Sequence, residues 1–464
     1  MLWQSLLALL GMTLGVIAAA HALLYKRRPQ SAFGWIAVSL LLPFGGALLY
    51  WLFGINRVKT RAKKLRTREP VCAVPAEAVA DPPADLVPLA RLGYAVTGMA
   101  LVAGNRLEAL HNGEQAYPAM LEAIRKAERS VYLATYIFDD DAVGAEFAAT
   151  LAAAAGRGVD VRVILDGIGE LYSTPPMHRR LRKLGIRYGL FLPPQLWPPT
   201  FHVNLRNHRK LLVVDGAIGF VGGMNISERH LADARGRTAV VDMHFRCSGP
   251  VVTQIEAVFL QDWQFVTGEP QPLLTCAPAG RDGALCRAIA DGPEEDLDRL
   301  AHVLIGAVGG ARKRVYLMTP YFLPPRELLG TLQAAALRGV EVTVLLPARN
   351  NLPYVHWATR HMLWELLQYG IRIYYQPPPF VHSKLLVIDE QYSLVGSANI
   401  DARSLRLNFE LNVEVYDHAF ADELARHFEA VLARSKPTAL EDVDRRPLPM
   451  RFVDGVAWLF SPYL

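Results

Sequence analysis

The sequence predicts an α/β protein of two lobes related by a pseudo-twofold axis. Each lobe is a β-sheet flanked by helices, and an N-terminal transmembrane helical hairpin precedes them. Three observations predict this. Strand-helix-strand patterns occur twice along the 464 residues. A sparse polar pattern, His-x-Lys-x4-Asp, also occurs twice, its two histidines 174 residues apart. Two stretches at the N-terminus lack Lys, Arg, Asp and Glu altogether.

The elements follow in chain order. Met1 to Tyr25 is mostly Leu, Ala, Gly and Val; Lys26, Arg27 and Arg28 follow, and Ser31 to Ile55 is again free of charge. Each stretch exceeds the ~20 residues a helix needs to cross a bilayer. A cleaved signal peptide carries its basic residues ahead of the apolar run, whereas here they follow it and a second apolar segment comes next. Pro43 and Gly45-Gly46 would kink or break that second segment into a re-entrant hairpin. Arg57, Lys59, Arg61, Lys63, Lys64, Arg66 and Arg68 follow with no acid among them. Such a run marks the cytoplasmic side of a membrane and attracts anionic lipid headgroups. Two spans then place the two lobes in the cytoplasm. The Lys26-Arg27-Arg28 loop weighs the other way, but with three charges against seven.

Residues 69–90, EPVCAVPAEAVADPPADLVPLA, are rich in Pro and Ala and read as a linker. The expected organisation is residues 1–56 for two membrane-spanning segments and 57–90 for the basic segment and linker. Residues 91–270 and 271–464 form the two lobes. The net charge of +5 comes largely from residues 57–68, so nucleic acid is not implied. Cys72, Cys247, Cys276 and Cys286 show no paired motif and suit a reducing compartment.

Within the lobes, VYLATYIFDDD aligns with VYLMTPYFLPP at an offset of 184, and AAAAGRGVDVRVILDG with QAAALRGVEVTVLLPA at 181. Each copy is a strand, an Ala-rich helix, a Gly turn and an alternating strand. That order predicts an α/β sandwich, largely parallel in its core. LGIRYG and YGIRIY then precede the two motif strands, NHRKLLVVDG and VHSKLLVIDE.

The motif residues are His208, Lys210 and Asp215 in the first copy, His382, Lys384 and Asp389 in the second. Ten residues past each Asp lies an Asn in a small-residue turn, Asn225 and Asn399. Side chains two apart on a strand share a face, so His and Lys project together while LLVV and LLVI pack the core. The Asp closes the strand at a turn. An imidazole serves as nucleophile as well as acid or base. Two of them divide one phosphoryl displacement: one attacks phosphorus, the other protonates the leaving alkoxide and then deprotonates the incoming hydroxyl. Lys210, Lys384, Asn225 and Asn399 would bind the non-bridging phosphate oxygens. No metal or other cofactor is required. A metal site is disfavoured because a lysine beside each histidine repels a cation, and no compact His/Cys cluster accompanies it.

The chain resembles the phospholipase D superfamily, whose signature is this repeated motif with its downstream Asn, and within it the bacterial cardiolipin synthases. The resemblance extends through FVGGMN, TPYFLPP, GSANIDARSLRLNFE and the terminal LFSPYL, nearly the whole chain. It implies that a carboxylate later in each repeat orients each histidine: Asp242 for His208 and Glu410 for His382. It makes His208 the nucleophile and His382 the acid/base. Val241-Asp242 and the Asp166-Gly-Ile-Gly169-Glu170 loop depart from the patterns common in similar enzymes, which affects the site rim.

The implied activity is phosphatidyl transfer between two phosphatidylglycerol molecules, giving cardiolipin and glycerol through a phosphatidyl-histidine, in a multi-pass protein of the bacterial inner membrane. The alternatives are a phospholipase D hydrolase, a phosphatidyltransferase using another lipid such as phosphatidylethanolamine, and a nuclease-like phosphodiesterase. The expected partners are phospholipid substrates and an anionic bilayer.

Two further features are noted. The first lobe carries eleven extra residues before its motif, in GLFLPPQLWPPTFHVN. Phe191, Leu192, Leu196, Trp197 and Phe201 form either a lip contacting acyl chains or a Pro-stiffened loop. In the second lobe His356, Arg360 and Trp364 recur on one helical face; His356 is either a headgroup contact or a satisfied interfacial histidine.

Overall fold

The computed structural model describes residues 2–26, 29–55, 72–73, 79–194, 205–232, 239–272, 274–275, 282–292 and 298–461. The chain falls into two compact units, Met1–Arg66 and Thr67–Leu464.

In the first unit, α1 (Leu2–Tyr25) is one continuous helix of 24 residues, about 36 Å at 1.5 Å per residue. It is long and apolar enough to cross a membrane. The second apolar segment is not a second continuous span. It forms α2 (Pro29–Leu41), breaks at Pro43, and resumes as α3 (Gly45–Leu49). Thirteen residues reach only about 20 Å, short of the ~30 Å hydrocarbon core. Proline has no N–H to continue the ladder, and Phe44 takes a positive φ of 60°. The helices pack closely: a Cβ on Gly15 would lie 2.6 Å from the Ser39 carbonyl oxygen. The basic run at 57–68 lies outside the described residues.

In the second unit the first lobe has seven main strands: β1 (Val102–His111), β2 (Ser130–Thr135), β3 (Asp160–Asp166), β4 (Arg187–Phe191), β5 (Leu211–Val214), β6 (Ile218–Gly222) and β7 (Met243–Ser248). The second lobe repeats them as β8 (Ala284–Asp291), β9 (Arg314–Met318), β10 (Glu341–Pro347), β11 (Arg372–Gln376), β12 (Leu385–Ile388), β13 (Tyr392–Gly396) and β14 (Glu410–Tyr416). It adds the edge strand β15 (Lys436–Thr438). All lie in one sheet, in the order β15-β11-β10-β9-β12-β13-β14-β8-β1-β7-β6-β5-β2-β3-β4. Antiparallel pairing of β8 with β1 joins the lobes, and the order on either side of it is the same. That is the pseudo-twofold relation.

The expected parallel pairing is found in the strand-helix-strand core of each lobe and does not extend beyond it. In each lobe two ladders are parallel, β2-β3-β4 and β9-β10-β11. The remaining ladders of this sheet are antiparallel. Helices Ala142–Gly156 and Arg326–Leu337 supply the crossovers that parallel pairing needs. The motif strands instead turn back at once: Asp215 to Ala217 is all that separates β5 from β6, and so short a turn returns the chain antiparallel.

The apolar runs of β2, β3, β5 and β6 and the helices beside them form one buried core; their counterparts form another. Helix Val87–Thr97 belongs to the second core, where Leu89, Ala90 and Val96 are buried. Thus the end of the Pro/Ala segment and the start of the first-lobe sequence pack with the second lobe. Their fixing point is Arg287, which donates to the carbonyl of Ala90 at 3.0 Å and pairs with buried Glu414.

Candidate active site

The two histidines stand where the lobes pair with each other outside the main sheet. Phe380-Val381 pairs in parallel register with Val240-Val241, and the His382 N–H donates to the Val241 carbonyl at 2.8 Å. Continuing that register sets His382 beside Asp242. In the same way Asn207 bridges to Phe409 and the His208 N–H donates to the Phe409 carbonyl at 2.9 Å, setting His208 beside Glu410.

The carboxylate assignments therefore cross. His208 Nδ1 lies 2.9 Å from Glu410 Oε1, and His382 Nδ1 lies 2.9 Å from Asp242 Oδ2. The within-repeat pairing expected above is corrected: each histidine meets the carboxylate of the opposite lobe. Both carboxylates are fully buried, and an acceptor on Nδ1 assigns the proton there and leaves Nε2 with its lone pair. Glu410 also accepts from Ser397 Oγ at 2.5 Å. Gly223 is needed beside Asp242, since a Cβ there would lie 2.8 Å from its Oδ2.

The lysines are arranged alike toward the backbone, and Lys384 Nζ also lies 3.0 Å from His382 Nδ1. Lys210 Nζ donates to the His208 carbonyl at 2.8 Å and Lys384 Nζ to the His382 carbonyl at 2.5 Å. Each ammonium has three donors, so others are left for phosphate oxygens. Asn225 Oδ1 accepts the Ile137 N–H at 3.1 Å, which leaves its NH2 as the end to meet a ligand. Asn399 Nδ2 donates to Ser404 Oγ at 3.2 Å, while its Oδ1 is buried without a partner.

Asp215 and Asp389 are elsewhere. Five residues of extended chain past each lysine is about 16 Å. Asp215 accepts the N–H groups of Glu128, Arg129 and Ser130 at 2.7–3.0 Å. Asp389 accepts those of Arg312, Lys313 and Arg314 at 2.7–2.8 Å. Their placement among the catalytic residues is corrected: they clamp the loop that leads into β2 or β9.

Burial sets the electrostatics. It pushes His382 down to about 3, with Lys384 adding to the shift. Burial, then Lys210 and Lys384, lowers His208 well below its ordinary value. Burial lowers Lys210 to about 7 and Lys384 to about 8 and raises Glu410 to about 7. Against burial, the His382 hydrogen bond and the Lys384 charge hold Asp242 below the usual carboxylate range. Both imidazoles are thus neutral at neutral pH, the form with a free lone pair.

Other residues at the site carry no signal in the motifs. Tyr136 stacks edge-on to His208 at 5.2 Å, and Lys210 Nζ sits 5.4 Å from its ring centre. His230, 4 % exposed, lies 6.3 Å from the His382 ring, and its Nε2 accepts the Asn225 N–H at 3.3 Å. Asp166 accepts the N–H groups of Asn207, Ile168 and Gly169 and so fixes the loop carrying His208. Only Asp166 had a clue, in the departures noted at its loop.

The extra segment of the first lobe falls largely on residues 195–204, outside the described residues. Arg360 pairs with buried Asp454 at 2.6 Å. His356 packs 5.7 Å from Tyr375 and is half-buried, and burial lowers its pKa. The helix of the second-lobe trio ends at Met362, before Trp364. Cys247 and Cys286 are free and buried. Among the described residues no group of three His, Cys, Asp or Glu side chains would hold a metal ion.

The sequence profile of the cardiolipin synthase, phospholipase D-like domain matches residues 120–263 and 304–432, one stretch in each lobe. The chain is 33% identical over 470 residues to a cardiolipin synthase A of Pseudomonas fluorescens, covering 97% of this chain and 96% of that one. The chain belongs to the cardiolipin synthase family. A cardiolipin synthase of Geobacillus thermodenitrificans is 32% identical, over 95% of this chain and 90% of its own length. A phospholipase D-nuclease N-terminal profile matches residues 13–54; with α1 it makes this family member a membrane-associated protein. The fold is shared with phosphatidylserine synthase of Haemophilus influenzae, with a TM-score of 0.65 over 81% of this chain and all of that one at 15% identity.

Proposed function

We propose that the protein is a membrane-anchored phosphatidyltransferase that makes cardiolipin from two phosphatidylglycerols. The observation that carries this is the crossed pairing of two buried imidazoles with carboxylates of the opposite lobes, beside two lysines.

His208 Nε2 attacks the phosphorus of the first lipid. The bond to the glycerol oxygen breaks, and His382 supplies the proton that leaves with glycerol. A phosphatidyl group remains on His208 Nε2. The terminal hydroxyl of the second phosphatidylglycerol gives its proton to His382 Nε2 and forms the new P–O bond as the P–N bond breaks. Lys210, Lys384, Asn225 and Asn399 hold the phosphate oxygens through both steps. Lys384 lowers the pKa of His382, so a bound phosphodiester anion, offsetting that charge, would raise it. His382 then takes up its proton as substrate binds. One phosphodiester replaces another, so no nucleotide is consumed.

The basic run at 57–68 supports placing the lobes on the cytoplasmic face of the bacterial inner membrane. The test is mass spectrometry of lipids after incubating the enzyme with phosphatidylglycerol alone, beside the His208→Ala and His382→Ala proteins. Cardiolipin and free glycerol from the wild type, absent with both variants, is the expected result. Phosphatidic acid as the main product would make it a hydrolase. No product would shift the donor to another lipid, phosphatidylethanolamine first.

A further inference from the structure

We propose that the outward face of the C-terminal helix, Leu448–Leu459, lies in the headgroup region of an anionic bilayer and holds the second lobe on the membrane that carries its substrate. This rests on the reading of the substrate as a bilayer lipid.

The helix is amphipathic in the reverse of the usual sense for a water-facing element. Its inner side is anchored by a charge: Asp454 is fully buried, 2.6 Å from Arg360 Nη2 and paired also with Arg446. Ala457 is buried with it, and His361 of the helix Pro353–Met362 stacks 5.1 Å from Trp458. Its outer side is apolar. Leu448, Phe452, Val456 and Leu459 recur at four, four and three residues, one stripe of a helix, with exposures of 77%, 75%, 40% and 67%. Val453 and Phe460 widen the stripe. From Leu448 to Phe460 the one exposed charged side chain is Arg451. A helix facing water carries polar residues there, and a contiguous exposed apolar patch marks a contact surface.

Three observations choose a bilayer as the occupant. The charge within the patch is positive, and Arg445 just before it is exposed too, which suits anionic headgroups. The acids Glu441, Asp442 and Asp444 belong to the preceding short helix, not to the stripe. Second, Tyr354 and Trp357 are exposed on the face of Pro353–Met362 that also bears His361, the residue touching Trp458. Aromatic rings of this kind favour the membrane interface. Third, α1 is long and apolar enough to tether the chain to a membrane, and a tethered contact needs little affinity of its own. A second copy docked symmetrically would bring the same arginines together on one small patch.

The surface is also connected to the chemistry. Tyr321 lies 6.4 Å from the His382 ring and donates from its hydroxyl to Asn351 Oδ1 at 2.8 Å. Asn351 leads directly into the helix bearing Tyr354 and Trp357. Seating the C-terminal helix at the headgroup level would therefore bring the second-lobe rim toward the layer where phosphodiesters reside.

The test uses the full chain in vesicles of phosphatidylglycerol and phosphatidylcholine, with Cys72 and Cys276 replaced by Ser. A nitrobenzoxadiazole label is placed at Phe452→Cys and, as control, at Arg426→Cys on helix His418–Leu432. Quenching of the first label by lipids brominated high on the acyl chain, and none of the control, is expected. A Phe452→Glu/Leu459→Glu double variant should lose at least about tenfold in turnover of bilayer phosphatidylglycerol. With monomeric dihexanoyl phosphatidylglycerol it should stay within about twofold of the parent. A label at 452 open to aqueous iodide overturns the proposal. So does one shielded from iodide yet unquenched by brominated lipid, the pattern of a second protein copy, and so does equal loss on both substrates. If the parent makes no cardiolipin from either substrate, the assigned chemistry fails while the quenching result still stands or falls by itself.

Discussion

Replacing Glu410 and Asp242 separately should stall different halves of the reaction, and the crossed pairing fixes which. Glu410 accepts from His208 Nδ1 at 2.9 and 3.1 Å, and Asp242 from His382 Nδ1 at 2.9 Å, all away from solvent. Glu410→Gln and Asp242→Asn keep shape and remove charge. A hydrogen bond to a charged group contributes about 1.5–3 kcal/mol. At 1.36 kcal/mol per tenfold, each variant should slow the step its histidine serves by about ten- to 150-fold. A phosphatidyl-p-nitrophenol substrate separates the steps, because its leaving group needs no proton from His382. Asp242→Asn should then release its first equivalent of nitrophenolate at the parent rate and turn over slowly, accumulating phosphatidyl-enzyme. Glu410→Gln should show a slow first equivalent and no accumulation. The reverse assignment of the two patterns would refute the crossed arrangement, and slow first release in both would refute the division of labour between the histidines.

Four further outcomes follow from the same geometry. Asp215→Ala should lower stability by about 2–3 kcal/mol, from three lost backbone hydrogen bonds, with kcat per folded molecule unchanged; thermal unfolding and active-site titration read both. Against burial, those amides lower the Asp215 pKa, so its stabilisation is full above the ordinary carboxylate value of about 4 and is lost as pH falls through the lowered one. Asp215→Asn should flatten the acid limb of stability against pH. Because Lys210 and Lys384 titrate near about 7 and about 8, kcat/KM, which reports the free enzyme, should fall as pH rises through this range, and a profile flat to pH 9 would remove the lysines' role. Asp454→Asn strands two arginines against a buried partner and should cost about 3–5 kcal/mol, seen as a lowered melting temperature.

Much of this protein was legible because duplication writes itself into spacing. The apolar runs LLVV and LLVI had to be strands, and the Ala-rich stretches before Gly158 and Gly339 had to be crossover helices. His and Lys two apart had to share a face. Pro43 already marked where the second apolar segment breaks. Parallel pairing was legible where a helix separates two strands, while the Asp-Gly-Ala turn after β5 was not weighed as a reversal. The proposed site was legible in the matched spacing of its histidines, lysines and asparagines. It was misread in Asp215 and Asp389, whose place in the motif says nothing about which end of the strand faces the chemistry. His230 and Tyr136 lie outside the repeated motif and nothing in its spacing singles them out, and Asp166 showed only as a departure at its loop.

By itself the sequence determined the local facts: which segments are strands, helices or membrane-compatible, and which imidazole and ammonium groups fall at matching places in the two repeats. Periodicity and composition act over a few residues, so one chain is enough to read them. Only the tertiary structure decided the partners. Whether His208 meets Asp242 or Glu410 depends on how two similar lobes set the pairs Asn207–Phe409 and Val381–Val241 side by side. That register lies between residues 140 to 202 positions apart. Hydrogen bonding fixes it only once both lobes have folded.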